Sequence, residues 1–240
     1  MKTVDIFWTG GFDSTFRVLQ LLNQSDCYVQ PHYIILEDKS TWVEIGTMIR
    51  IRKVINNRFF NIAHRLLPTM YINHELIKKD PEIETEISRL RQELKVIEQY
   101  HLMANYCKEL NICNIEVAII HMEGEMGLFK QHRSIDIFKA FSFPISELSK
   151  KMIYDISLKE GWDDILMMTS FCKRPIIKVE PCGLCSPCTT AVAEGLDFRL
   201  PLKSRLIAKL QIPFRKYIRK RYRKLKDNKI IIAIQKKLYE

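Results

Sequence analysis

Four of the seven cysteines crowd into one stretch, Cys172-x9-Cys182-Gly183-Leu184-Cys185-Ser186-Pro187-Cys188. A Cys-x-x-Cys step lets two thiolates chelate one ion, and three such cysteines with a fourth from upstream complete a tetrahedron. Gly183 and Pro187 supply the tight turns that such chelation needs. Four thiolates with no open position describe a structural zinc site, and an iron–sulfur cluster would use the same ligands. Two disulfides, or idle thiols, are the remaining reading of the same residues. Cys27, Cys107 and Cys113 are scattered and are expected to be buried apolar side chains.

A second group stands near the N-terminus. Thr9-Gly10-Gly11-Phe12-Asp13-Ser14-Thr15 follows the short apolar run Val4-Asp5-Ile6-Phe7-Trp8. Paired glycines reach φ values closed to other residues, so successive backbone N–H groups can converge on an anion. Ser14 and Thr15 open the next helix, whose positive end adds to the same place. Asp13 makes sense there if a divalent cation bridges it to phosphates. A plain tight turn is the alternative for a bare Gly-Gly. The G-x-x-x-x-G-K-[ST] pattern is absent at this turn, which excludes a Walker-type loop.

The elements that must hold these residues alternate. A strand at Val4–Trp8 is followed by helical spacing at Phe16, Leu19 and Leu22. Tyr28–Leu36 reads as a strand, Thr47–Phe60 as a helix, Thr69–Ile72 as a short strand and Ile115–His121 as another. Between them, residues 75–110 read as one long charged helix, with Ile87, Leu90, Leu94, Ile97 and Tyr100 stepping by three and four after Asp80-Pro81. Pro144–Glu160 reads as a loop entering a helix. The expectation is an α/β fold, an open parallel sheet with helices on both faces.

With these elements in place, the N-terminal string resembles the S-G-G-x-D-S-[ST] loop of the PP-loop ATP pyrophosphatases, with Thr9 at the first serine. Together with the C-x8–9-C-G-x-C-x-x-C cluster, it is similar to the 7-cyano-7-deazaguanine synthase family. Phe143-Pro144-Ile145-Ser146-Glu147-Leu148-Ser149-Lys150 resembles that family's P-L-x-x-x-[ST]-K segment, and Thr169-Ser170-Phe171-Cys172 its entry into the zinc site. The resemblance implies an ATP-dependent C–N ligase-type enzyme. It adenylates a carboxylate, releases pyrophosphate and passes the acyl group to ammonia or an amine. Thr9 to Thr15 would bind ATP with Mg2+, Asp13 and Lys150 would act in catalysis, and Cys172, Cys182, Cys185 and Cys188 would bind Zn2+. Other substrates (tRNA or a protein terminus) and a non-catalytic nucleotide-binding module are alternatives on the same residues.

Composition sets the bounds. The chain has 240 residues, 47% hydrophobic and 28% charged, which excludes collagen-like, disordered and mini-protein classes. An N-terminus that enters a strand pattern at once leads us to expect no signal peptide and a cytoplasmic protein. The net charge of +10 is unevenly placed: residues 203–240 hold 14 Lys+Arg against 2 Asp+Glu. Two domains are expected, 1–202 with a zinc lobe at about 169–196, and 203–240 as a basic extension. In the extension Phe214, Ile218, Tyr222 and Leu225, with Tyr217, recur at helical spacing among Lys and Arg. Such a helix would meet RNA or an anionic membrane, or pack on its own domain. A homo-oligomer is a further expectation. His121, His132, Glu123 and Glu125 flank a Gly124/Gly127 loop as minor site candidates, and Arg89 and Arg91 are expected on a solvated face.

Overall fold

A computed structural model of the chain describes residues 1–38, 40–93, 97–120, 136–172 and 180–213. Its elements run β1 (Lys2–Phe7), α1 (Phe12–Gln24), β2 (Cys27–Ile35), α2 (Thr41–Arg58), α3 (Phe60–Ala63), β3 (Met70–Asn73), α4 (Pro81–Glu93), α5 (Ile97–Glu109), β4 (Ile115–Glu116), α6 (Asp136–Lys139), β5 (Phe141–Ser142), α7 (Lys150–Glu160), α8 (Asp163–Met167) and α9 (Ser186–Ala193). Residues 202–213 form a further helix, α10. The chain divides into two compact units, Met1–Phe171 and Cys172–Glu240.

The first unit is built on a five-stranded, all-parallel sheet in the order β3-β2-β1-β4-β5. Adjacent strand residues face opposite ways, so the burial of both Ile6 and Phe7 on β1 means that both faces are covered. Phe7 joins a cluster with Ile83 and Ile87 of α4, Tyr100, Met103 and Tyr106 of α5, and Ile115 and Phe141. On the other face α1 lies along β1 and β2 and meets α7 and α8. Its Phe16 ring stands 6.1 Å from Trp162, edge to face. Phe16, Leu19 and Leu22 are wholly buried, each contributing about 1.5–3 kcal/mol by removal from water. Arg17 of α1 also clamps Glu116 of β4 through two bonds of 2.7 Å, which fixes α1 across the central strands.

Several elements depart from the sequence expectation. α2 starts at Thr41, six residues before the expected start, because Asp38 Oδ1 accepts from the N–H groups and hydroxyls of Ser40 and Thr41. Burial opposes ionisation of Asp38, yet those bonds hold its carboxyl below the ordinary range. Residues 75–110 do not form one helix. α4 and α5 fold back on each other, since Lys108 reaches Asp80 and Glu82, and Glu84 bonds both His101 and Asn105. Residues 94–96 lie outside the described residues. β4 ends at Glu116, well short of the expected His121, and β5 is a strand the sequence pattern did not announce.

In the second unit the thiol-bearing loop leads into α9, a 3-10 turn at Asp197–Arg199, and α10. Gly183 holds φ 71°, and a Cβ there would come within 2.2 Å of the Ser204 carbonyl oxygen. Only glycine fits where α10 approaches this loop so closely. Residues 214–240, with the aromatic and apolar periodicity named above, lie outside the described residues.

Candidate nucleotide and metal sites

Strand order places the first site. β1 is flanked by β2 on one side and by β4 on the other, so the chain reverses its direction of winding at the carboxyl end of β1. In open parallel sheets ligands bind in the crevice outside such a switch point. Thr9-Gly10-Gly11 leaves β1 there, and α1 begins at Phe12.

Gly10 adopts φ 67°, and its carbonyl accepts from the Ser170 N–H at 3.2 Å. A Cβ at Gly10 would meet Met48 Cγ at 3.1 Å and the Glu44 backbone oxygen at 3.2 Å. α2 therefore packs so closely against the turn that a side chain there would have to push it back by a few tenths of an ångström. Gly11 caps α1 in an extended conformation with no side-chain bond of its own. Its N–H donates to Thr9 Oγ1 at 3.3 Å, and its carbonyl accepts from Ser14 Oγ at 3.4 Å. A Cβ at Gly11 would enter the hollow bounded by Thr9 Oγ1, at 3.1 Å, and by Ser14 Oγ and the Ser170 backbone oxygen, both at 3.8 Å. The first-turn N–H groups of Asp13 and Ser14 have no acceptor within the helix. Glycine backbone, hydroxyls and a helix start thus border one small concavity, which the Ser170 carbonyl oxygen also faces.

Asp13 and Lys150 face each other beside this concavity. Lys150 Nζ donates to both Asp13 oxygens at 2.9 Å, across 137 positions of sequence. Their side chains are 24% and 20% exposed, so the pair keeps a partial contact with water. The ammonium also stands 5.8 Å from the Phe12 ring centre. Lys150 is held by the start of α7, where Ser149 Oγ accepts from the Met152 N–H at 3.2 Å. Such a cap is worth about 1 kcal/mol. Thr15, by contrast, turns inward: it is wholly buried and its Oγ1 accepts from Trp8 Nε1 at 3.0 Å. It fixes the junction of β1 and α1.

The second site is the cysteine group. The sulfurs of Cys172, Cys182, Cys185 and Cys188 all lie within 4.8 Å of one another, and these four could hold a metal ion. The separations Cys172–Cys185 (3.8 Å), Cys182–Cys188 (4.0 Å) and Cys185–Cys188 (3.3 Å) are far from a disulfide's length of about 2.05 Å. They bracket the edge of about 3.8 Å of a tetrahedron that metal–sulfur bonds of about 2.3 Å generate. Backbone N–H groups of Cys182, Leu184 and Cys185 point at cysteine sulfurs at 3.3–3.4 Å, as donors to thiolates do. The hydrogen bond with Cys185, then burial, pushes the Cys188 thiol far above its ordinary range. A cation at the centre reverses that sign and lets the thiols ionise together.

The sequence expectation missed three parts of this arrangement. Ser170 reaches the glycine turn through its backbone, which no side-chain pattern can announce. The Arg17–Glu116 clamp joins residues 99 positions apart. A chain in which the half-buried Asp5 and the buried His32 and Tyr106 are joined by bonds of 2.8 and 2.7 Å lies under the sheet's α5 face. Cys27 and Cys107 are buried as expected, but Cys113 is exposed, because it follows the end of α5 where the chain turns into β4. Arg89 is exposed. Nothing is described for the Arg91 side chain, and His121, Glu123, Gly124, Glu125, Gly127 and His132 lie outside the described residues. Compared with protein-family models and with curated proteins, the chain matches none.

Proposed function

We propose that the chain is an ATP-dependent ligase-type enzyme that adenylates a carboxylate, in the manner of the 7-cyano-7-deazaguanine synthases it resembles. The observation that carries the reading is the Asp13–Lys150 pair beside the Gly11 hollow at the sheet's switch point. One carboxylate with phosphate oxygens is a suitable ligand set for magnesium, which keeps several of its waters. Bound magnesium would be held by Asp13 and would neutralise phosphate charge. The Gly11 hollow, the Thr9 and Ser14 hydroxyls and the first-turn N–H groups would hold the phosphates, with the Lys150 ammonium turned toward them.

A substrate carboxylate oxygen then attacks the α-phosphorus. The bond to the bridging oxygen breaks and pyrophosphate leaves with its electron pair. Ammonia or an amine next attacks the acyl carbon, loses a proton, and AMP departs. Catalysis would be positioning and charge stabilisation, with Lys150 passing from Asp13 to the phosphates as magnesium takes the carboxylate, so no nucleophilic side chain is required. The four cysteine thiolates would hold zinc, with every position filled and a structural role.

Full-length protein incubated with Mg-ATP, ammonia and a panel of carboxylates should release pyrophosphate with at least one acid, and Asp13→Asn should abolish the release. No release with any acid would falsify the enzyme reading. Elemental analysis should find about one zinc per chain, and iron in its place would favour the cluster.

A further inference from the structure

The peptide that joins Gly10 to Gly11 has no Cβ on either side to hinder its rotation. It is planar and trans, so its carbonyl and its N–H point opposite ways. In the fold the Gly10 carbonyl accepts from the Ser170 N–H at 3.2 Å. The Gly11 N–H is thereby turned toward Thr9 Oγ1, at 3.3 Å, on the border of the hollow. If the peptide turned over, the Gly10 oxygen would stand in place of that donor.

The group that prevents this is firmly mounted. Ser170 follows the buried Thr169, which returns to the Leu166 carbonyl through its N–H at 3.2 Å and its Oγ1 at 2.5 Å. Ile165 and Leu166 of α8 are wholly buried, and α8 packs on α1, the helix that leaves the turn. The Ser170 carbonyl oxygen bounds the hollow itself, 3.8 Å from where a Gly11 Cβ would stand. Resting on the nucleotide reading above, we propose that Ser170 is a positioning residue for phosphate. Its backbone N–H latches the Gly10–Gly11 peptide with the donor side toward the anion. Released, the peptide offers phosphate a carbonyl oxygen, which repels it, and affinity falls with the fraction of chains still latched.

The test exploits the fact that Ser170→Pro removes the N–H and Ser170→Ala keeps it. The full-length variants are compared by binding of a fluorescent ATP analogue with magnesium, with thermal melting alongside. Ser170→Ala should bind within about twofold of the parent, and Ser170→Pro about tenfold or more weakly while still melting as a folded protein. Should Ser170→Pro fail to fold, amide exchange in the parent decides. Saturating Mg-ATP should slow the Ser170 and Gly11 amides together by about tenfold or more, because nucleotide binds the latched form. The latch is overturned if Ser170→Pro binds as the parent does, or if Ser170→Ala binds as poorly as Ser170→Pro. It is overturned equally if the Gly11 amide slows while that of Ser170 does not. No binding by the parent removes the nucleotide reading instead, and the latch falls with it.

Discussion

Gly10 and Gly11 adjoin in sequence but answer to different forces. At Gly10 the backbone sits at φ 67° with α2 atoms 3.1–3.3 Å from where a Cβ would stand. At Gly11 φ is −76°, open to any residue, and the crowding comes from the hydroxyls that line the hollow. Gly10→Ala should therefore cost stability, about 1–2 kcal/mol for the left-handed backbone and more if α2 must shift. Gly11→Ala should melt within a few degrees of the parent and yet lose nucleotide binding, because its methyl group occupies the space for phosphate. Thermal melting beside binding of a fluorescent ATP analogue separates the two. Equal losses of stability, with binding intact in Gly11→Ala, would remove the hollow from the mechanism. The Asp13–Lys150 pair is largely buried, so Asp13→Asn leaves the ammonium without its carboxylate and should cost about 1–3 kcal/mol of stability. A large loss of turnover in a variant that still melts as a folded protein is then a loss of chemistry.

At the scale of elements, the helix pair α4–α5 places two ionisable groups in the core of the first unit. Burial pushes Tyr106 up to about 12 from 10.0 and Cys107 up to about 12 from 9.0. Both are protonated in the fold, while the unfolded chain releases those protons at the ordinary values. Stability is therefore full below about pH 9 and falls as pH rises toward about 12, by up to about 1.4 kcal/mol per pH unit for each group. Urea unfolding across that window should show the fall, and Cys107→Ala should make it shallower; an unchanged slope would mean that Cys107 does not titrate differently on unfolding. The same helices show where reading the sequence stopped. Ile87, Leu90, Leu94, Ile97 and Tyr100 keep helical spacing through the region, and periodicity is blind to a chain that folds back, which long-range pairs such as Glu84 with His101 decide. β1, β2 and β3 were legible as short segments dominated by apolar residues, and the glycine turn after β1 located the first candidate site. β4 falls inside Ile115–His121, which read as a strand but is paired over only two residues; β5 also spans two residues, too few for alternation to register. α2 hid its first turn because Trp42 and Ile49 point to solvent, which blurs the one-sided stripe that marks a helix. The cysteine spacing was legible because chelation imposes short, regular steps that tertiary packing does not erase.

For the molecule as a whole, the two units differ in what holds them. The first buries large side chains on both faces of its sheet, among them Trp8, Phe16, Trp162 and Tyr106. The described part of the second buries Cys172, Cys182, Cys188, Ala191, Leu196, Leu200 and Ala208 as its apolar core, mostly small groups worth little by burial. So small a core needs a staple, and a structural zinc can supply an apparent 10–16 kcal/mol, roughly the whole stability of a domain. Metal removal should therefore act on the second unit as unfolding. In Cys185→Ser, or after chelation of the parent protein, about one zinc per chain should be released and amide hydrogens in residues 180–213 should exchange at near-unprotected rates. β1 serves as the internal reference in the same measurement, since its amides are held by parallel pairing to β2. Protection of 180–213 that survives complete loss of metal would show that packing around Gly183 and Ser204 suffices by itself, and the cysteines would then need another explanation.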